Sequence, residues 1–272
     1  MTSLDAPALA RGAAHLLAEL GNRAEVHDLY SPEGAAVYHD MAGGDTQEVR
    51  ELVTLVRALP GPVLDLAAGS GRLTLPLLAL GREVTALDLS ETLLALLKER
   101  LAQSRGRLAE RCTVVHADMR DFALDERFGA IVLGTSSISL LDPAGRAALY
   151  RRVRAHLLPQ GRFLLTTVEL HAPPGQEEAE FAFTGPSGRS YRFFERWARA
   201  DGRRVVAVFP AETATETEAE QLTVCTTTIG VLPADLLESE LTAHGFAVRS
   251  RIPLGDQSGR HRDVLMEAEV AA

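Results

Sequence analysis

What this 272-residue chain has little of narrows its chemistry first. Its two cysteines, Cys112 and Cys225, stand apart in runs that read as strands, without the Cys-x-x-Cys spacing of a metal or redox site. They read as small buried apolar residues. The longest apolar stretches, such as residues 73–80, are far shorter than a bilayer span, and Pro76 interrupts that one. At the start of the chain no basic region precedes an apolar one, and Asp5, Arg11 and Glu19 punctuate an amphipathic pattern instead. Neither a signal peptide nor a membrane helix is expected, and a cytoplasmic location follows as the expectation. Positive charge is also short: 28 Lys+Arg against 37 Asp+Glu leave a formal net charge of −9, and Lys98 is the only lysine. Binding along a phosphate backbone needs several positive charges on one face, so no nucleic-acid partner is expected and a neutral or cationic substrate fits better. The histidines lack metal-ligand spacing and no acid cluster suggests a magnesium site, so no metal is expected. There is no Walker loop, and Ala68 and Arg72 stand where a Gly-x-Ser-x-Gly nucleophile elbow around Ser70 would need glycines. ATPase and hydrolase readings drop out.

What is present is the composition of an ordinary globular protein, 46% hydrophobic and 24% charged. An amphipathic helix is expected over residues 7–20, and a second after Asp45, whose side chain can cap it, through 55–59. A regular pattern then begins. Short apolar runs at 63–66, 84–88, 113–116, 130–133 and 162–168 read as buried strands, with helical stretches between most of them. That alternation predicts a parallel sheet covered by helices on both faces. From 176 to 231 the texture changes to period-two alternation. Tyr191, Phe193 and Trp197 fall on one side of an extended segment ending at Asp201-Gly202, a two-residue hairpin signal that places Trp197 opposite Val206 on a strand over 203–209. A hairpin with one wet face also accounts for the arginines interleaved with aromatics between Arg189 and Arg204. After Pro233 a helix through His244 should stop at Gly245, and strands at 246–251 and 263–269 close a mixed sheet.

The expected organisation is therefore an N-terminal helical lid (1–60), a Rossmann-like α/β domain (61–170 and 232–272) whose last strand is antiparallel, and an antiparallel β insert (171–231) shaping the substrate cavity.

The first strand ends in Val63-Leu64-Asp65-Leu66-Ala67-Ala68-Gly69-Ser70-Gly71, an acid followed by a tight turn of small residues that lets backbone approach a ligand. The second ends at Asp88, about twenty residues beyond Gly69, where a carboxylate can accept from both hydroxyls of a ribose, with Leu89 beside it. A nicotinamide enzyme would use the same turn to cradle a pyrophosphate, but its third glycine is replaced by Thr74 and Asp65 would repel that group. The ammonium of S-adenosylmethionine suits Asp65 instead. Asp118-Met119 follows the third strand, where an acid can accept from the adenine amino group and a thioether can pack on the ring. Singly, Gly69 and Gly71 are ordinary turn glycines, Asp88 a helix cap and Met119 a core residue. Jointly, at the carboxyl ends of successive strands, they describe one adenosyl ligand.

Asp65-Leu-Ala-Ala-Gly-Ser-Gly, Asp88 and Asp118-Met119 resemble the motifs of class I S-adenosylmethionine-dependent methyltransferases over nearly the whole chain. More narrowly, VLDLAAGSGRLTLPLLALGREVTALDLS, RCTVVHADMRDFALDERFG and SGRHRDVLMEAEV resemble the N-methyltransferases of glycopeptide-antibiotic biosynthesis, and methyltransferases that cap the amino end of ribosomally made peptides. Ala67 departs from the family's usual glycine, and it is expected to fit only with a negative φ. The resemblance further implies that Tyr30, in HDLYSPEGAAVYHD, belongs to a lid over the cofactor; nearby Tyr38 reads as packing of the lid helix.

Methyl transfer is an in-line displacement, so the enzyme mainly aligns nucleophile, methyl and sulfur and excludes water. Thr135 and Ser136, after the fourth strand, are either ligands of the cofactor's methionine part or ordinary loop polarity. Glu169 and His171, after the fifth, either orient an amine and take its proton or are solvated loop residues, with Glu169 the stronger candidate because a carboxylate attracts an incoming ammonium. Trp197 is a candidate wall of the substrate cavity. The favoured function is N-methylation at the amino end of a natural-product peptide. O- or N-methylation of another small metabolite, a catalytically silent adenosyl-binding regulator and a nicotinamide oxidoreductase are the alternatives.

Overall fold

The computed structural model describes residues 9–42, 47–104, 107–171, 175, 177–212, 221–255 and 261–271. The chain opens with helix α1 (Arg11–Leu20), strand β1 (Ala24–Asp28) and helix α2 (Ala35–Ala42). Next come α3 (Gln47–Ala58), β2 (Val63–Leu66), α4 (Thr74–Ala79), β3 (Val84–Asp88), α5 (Glu91–Gln103), β4 (Cys112–His116), β5 (Phe128–Leu133), α6 (Pro143–His156) and β6 (Leu157–Leu170). Four strands follow, β7 (Glu178–Thr184), β8 (Ser190–Ala198), β9 (Arg203–Pro210) and β10 (Leu222–Gly230), and then α7 (Ala234–Ala243), β11 (Phe246–Pro253) and β12 (His261–Val270). Two compact units result, residues 1–44 with 172–231, and residues 45–171 with 232–272.

The larger unit is a seven-stranded sheet in the order β11-β12-β6-β5-β2-β3-β4. Its strands from β6 through β5, β2 and β3 to β4 pair in parallel, while β12 and β11 pair antiparallel. Every residue of β2, β3 and β5 is buried, as expected where helices cover both faces of a parallel sheet. Alternation divides them: Leu64, Leu66, Ile131 and Leu133 face Tyr150 and Val153 of α6 and Leu237 and Leu241 of α7. Val63, Ala130 and Val132 face Leu52 and Val56 of α3, Leu77 and Leu78 of α4, and Leu97 of α5. Ser90 caps α5 by accepting from Leu93 N, and Asp142 caps α6 by accepting from Gly145 N at 2.7 Å. Gly245, at φ +81, stops α7 as expected. Asp45, the expected cap of α3, lies outside the described residues.

The smaller unit is a five-stranded sheet in the order β1-β10-β9-β8-β7. Here three expectations are corrected. The N-terminal segment is not a purely helical lid ending at residue 60: β1 pairs in parallel with β10, and 1–44 belong with the insert while α3 packs in the larger unit. The reason is the apolar stripe of α1, where Ala13, Leu16 and Leu20 cover Phe194, Phe209 and Val224. That same cover corrects the expected wet face, because Leu29, Val37, Tyr191, Phe193 and Val208 cluster on the opposite side of the sheet. Third, Trp197 pairs with Arg204 rather than Val206. A turn of 3-10 helix over Arg199–Asp201 lengthens the connection ahead of Gly202, and a slip of two residues keeps each side chain on its own face. Cys225 is buried and Cys112 partly so, both on strands. Among the described residues no helix is long and apolar enough to cross a membrane.

Candidate active site

The sequence-marked acids of the larger unit stand at or just beyond the carboxyl ends of its parallel strands. Asp65 is 1% exposed on β2. Its Oδ2 accepts from Thr74 Oγ1 at 2.6 Å, while no protein hydrogen bond reaches its buried Oδ1. Burial pushes its carboxyl up to about 7; Thr74 and Arg72 oppose that shift, while Asp88 and Glu48 add to it.

The turn after β2 carries Ala67 at φ +52, Gly69 at +53 and Gly71 at +89. The expectation of a negative φ at Ala67 is therefore overturned: the turn requires the left-handed region, and Ala67 bears its steric cost of about 1–2 kcal/mol. Gly71 is glycine for a second reason, since a Cβ there would collide with Leu97 Cδ1 of α5. Asp88 binds this turn directly, its Oδ2 accepting from Gly69 N at 2.7 Å and its Oδ1 from Ser90 N at 2.7 Å. Burial raises its carboxyl above the usual range. Each oxygen keeps a second lone pair. Leu89 is 63% exposed, an apolar surface beside the Asp88 carboxylate.

Asp118 is held ionised chiefly by Arg120, whose Nε donates to it at 2.9 Å, and Met119 packs against the core cluster that contains Leu66 and Leu87. Thr135 and Ser136 both lie in the left-handed region, at φ +57 and +54, in a turn closed by Ser137 N donating to Gly134 O at 3.0 Å. Two non-glycine residues there cost on the order of 1–3 kcal/mol each.

Sequence reasoning missed what supports that turn. Glu48, in the first turn of α3 and 2% exposed, accepts from Thr135 N at 2.7 Å and from Thr166 Oγ1 at 2.6 Å, and pairs with Arg72. Arg72 also donates to Thr135 Oγ1. Arg72 offered the one signal, a long charged side chain inside a turn of small residues. Glu48 reads as an ordinary first-turn acid.

Glu169 lies near the end of β6, where its Oε1 accepts a long bond of 3.4 Å from Ala234 N at the start of α7. His171 Nε2 lies 3.7 Å from Glu169 Oε2. Tyr30 and Trp197 belong to the smaller unit. Tyr30 N donates to Asp28 Oδ1, its ring lies 5.3 Å from that of Tyr38, and burial pushes its hydroxyl up to about 12. Trp197 is 1% exposed beneath the Arg204 guanidinium and lines a cavity of about 710 Å³ with Arg11, Glu177, Glu178, Arg196 and Asp201.

A methyltransferase-domain family model matches residues 63–161, the stretch from β2 into β6. The whole chain is similar to the glycopeptide N-methyltransferase MtfA solved with (S)-adenosyl-L-methionine, at 32% identity over 98% of this chain and 100% of that one, with a TM-score of 0.66. The chain belongs to the S-adenosylmethionine-dependent methyltransferases. The same relative solved with (S)-adenosyl-L-homocysteine gives 37% identity and a TM-score of 0.67. A dTDP-3-amino-3,6-dideoxy-alpha-D-glucopyranose N,N-dimethyltransferase of Streptomyces fradiae is 35% identical over 147 residues, 52% of this chain and 51% of that protein. The chain thus spans about half the length of that curated relative.

The cofactor of this methyltransferase is S-adenosylmethionine, and the residues present fit it. The unpartnered Asp65 Oδ1 supplies a buried acceptor for a cationic group, the glycines let main chain approach closely, and exposed Leu89 offers an apolar face beside the Asp88 carboxylate.

Proposed function

We propose that this methyltransferase transfers a methyl group to the amino end of a natural-product peptide. The observation that carries the reading is the end-to-end likeness to a glycopeptide N-methyltransferase, with 98% of this chain and 100% of that one covered. In this reading Asp65, Ala67, Gly69 and Gly71 hold the amino-acid end of the cofactor with Thr135 and Ser136. Asp88 accepts from the ribose, and Leu89, Asp118 and Met119 receive the adenine. S-adenosylmethionine supplies a methyl group already activated on a sulfonium.

The chain has little further chemistry to provide. An α-amine has a reference pKa of about 7.7–8.0, so a useful fraction is the neutral nucleophile near neutral pH. Glu169 attracts the ammonium form, orients it and accepts its proton, and His171 extends the polar lining of that position. Trp197 and its cavity take part of the substrate, and Tyr30 belongs to the lid.

A second reading, N-methylation of an amino sugar, is favoured by the partial likeness to the amino-sugar dimethyltransferase. Incubation of the full chain and S-adenosylmethionine with free-amine peptides, their N-acetylated counterparts and amino sugars decides by mass spectrometry. Methyl gain confined to the free peptide amine is the expected result. Gain confined to the amino sugar replaces the peptide reading, and gain confined to a hydroxyl removes N-methylation altogether.

A further inference from the structure

We propose that Glu48 and Arg72 are positioning residues: together they brace the left-handed turn leaving β5 and thereby set the affinity for S-adenosylmethionine. The proposal rests on the reading that the strand-end rim of the larger unit holds the cofactor.

Glu48 comes from a helix, not from any rim strand, and its carboxylate is nevertheless buried among them. The first turn of the helix turns its positive dipole end toward this carboxylate, and an arginine lies against it. From there one carboxylate serves three segments. Oε1 takes the main-chain N–H of Thr135 and the hydroxyl of Thr166 on β6, and Oε2 takes the guanidinium of Arg72. Arg72 follows Gly71, so the brace ties the glycine turn after β2 to the turn after β5. Thr166 Oγ1 completes the tie by accepting from Ser136 N at 3.1 Å.

The turn needs such a tie. Thr135 is β-branched and sits at φ +57, where side chains like it are outliers. The brace also packs tightly on the turn: a Cβ on the adjoining Gly134 would stand 2.9 Å from Glu48 Oε1 and 2.5 Å from Leu73 Cδ1, so glycine there makes room for the carboxylate. The hydrogen bonds therefore fix the main-chain direction of Thr135, the feature that would meet the methionine end of the cofactor.

The test is calorimetric titration of S-adenosylmethionine into the wild type, Glu48→Gln, Asp88→Asn and the double variant Glu48→Gln/Thr135→Gly, with thermal midpoints and kcat at saturating cofactor. Glu48→Gln should weaken binding about ten-fold while kcat at saturation changes less than about three-fold. Thr135→Gly in that background should restore at least about three-fold of the affinity, because glycine adopts the left-handed region without a brace. A merely structural ion pair would not show that rescue. Binding of Glu48→Gln within about two-fold of wild type, or no recovery in the double variant, overturns the proposal. If Glu48→Gln does not fold, Arg72→Lys takes its place: it keeps the charge and loses the planar fork, and it should weaken binding at least about three-fold, with unchanged affinity overturning the brace. Asp88→Asn separates the two layers. Weak binding there with normal binding in Glu48→Gln sinks only the brace, whereas normal binding in Asp88→Asn sinks the rim assignment itself.

Discussion

Thr74 Oγ1 donates to Asp65 Oδ2 at 2.6 Å, and both side chains are shut away from solvent. A nicotinamide-type turn would carry its third glycine at position 74. Here a hydroxyl stands in that place and orients the buried carboxylate, whose other oxygen receives no protein hydrogen bond.

With Asp65 in its proposed role at the cationic end of the cofactor, its raised carboxyl should make stability and cofactor affinity depend on pH in opposite senses. Its folded value of about 7 lies above the ordinary 3.8, so between those values the folded chain holds a proton that the unfolded chain has released. Stability without cofactor should fall as pH rises through that window and then level off. Affinity for the cationic cofactor should rise over the upper part of the window. Thermal midpoints and calorimetric affinities across pH 5–8, flattened in Asp65→Asn relative to wild type, check both signs.

Ala67→Gly should stabilise the protein. Glycine removes the cost of about 1–2 kcal/mol for a Cβ at φ +52 and returns about 0.4–1 kcal/mol through greater freedom of the unfolded chain. A net gain of about 0.5–1 kcal/mol in urea unfolding is expected, and a loss would contradict the left-handed assignment.

Gly71→Ala should act the other way. Its φ of +89 strains any Cβ, and that Cβ would drive Leu97 Cδ1 out of its packing on α5. Destabilisation of about 1–3 kcal/mol is expected, together with weakened cofactor binding measured by titration.

Trp197→Ala should destabilise the smaller unit by about 3–5 kcal/mol, since it empties a buried indole site and removes the surface on which Arg204 stacks at 5.0 Å. Trp197→Phe keeps most of that packing. If its peptide KM rises while its thermal midpoint holds, Trp197 contacts substrate; an unchanged KM removes that role.

The rim was legible before folding because each of its parts is a local pattern. A run of apolar residues, an acid at its end and small residues after it mark β2 and its turn, and the same logic located Asp88 and Asp118. The outcome at Ala67 was not legible, because a residue type does not state its φ when the surrounding turn imposes one. The smaller unit was misjudged for a similar reason. Period-two alternation in β8 showed which residues share a face, but it could not show that α1 would cover Phe194 on the other.

By itself the sequence determined a helix-covered parallel sheet and a row of acids and glycines at one end of it, since hydrophobic period and turn chemistry act over a few neighbouring residues. Only tertiary structure decided that Glu48 meets Thr135 across 87 positions and that β1 completes the sheet of β10. Hydrogen bonds and strand pairings of that kind form when distant segments are already packed, so no local pattern along the chain announces them.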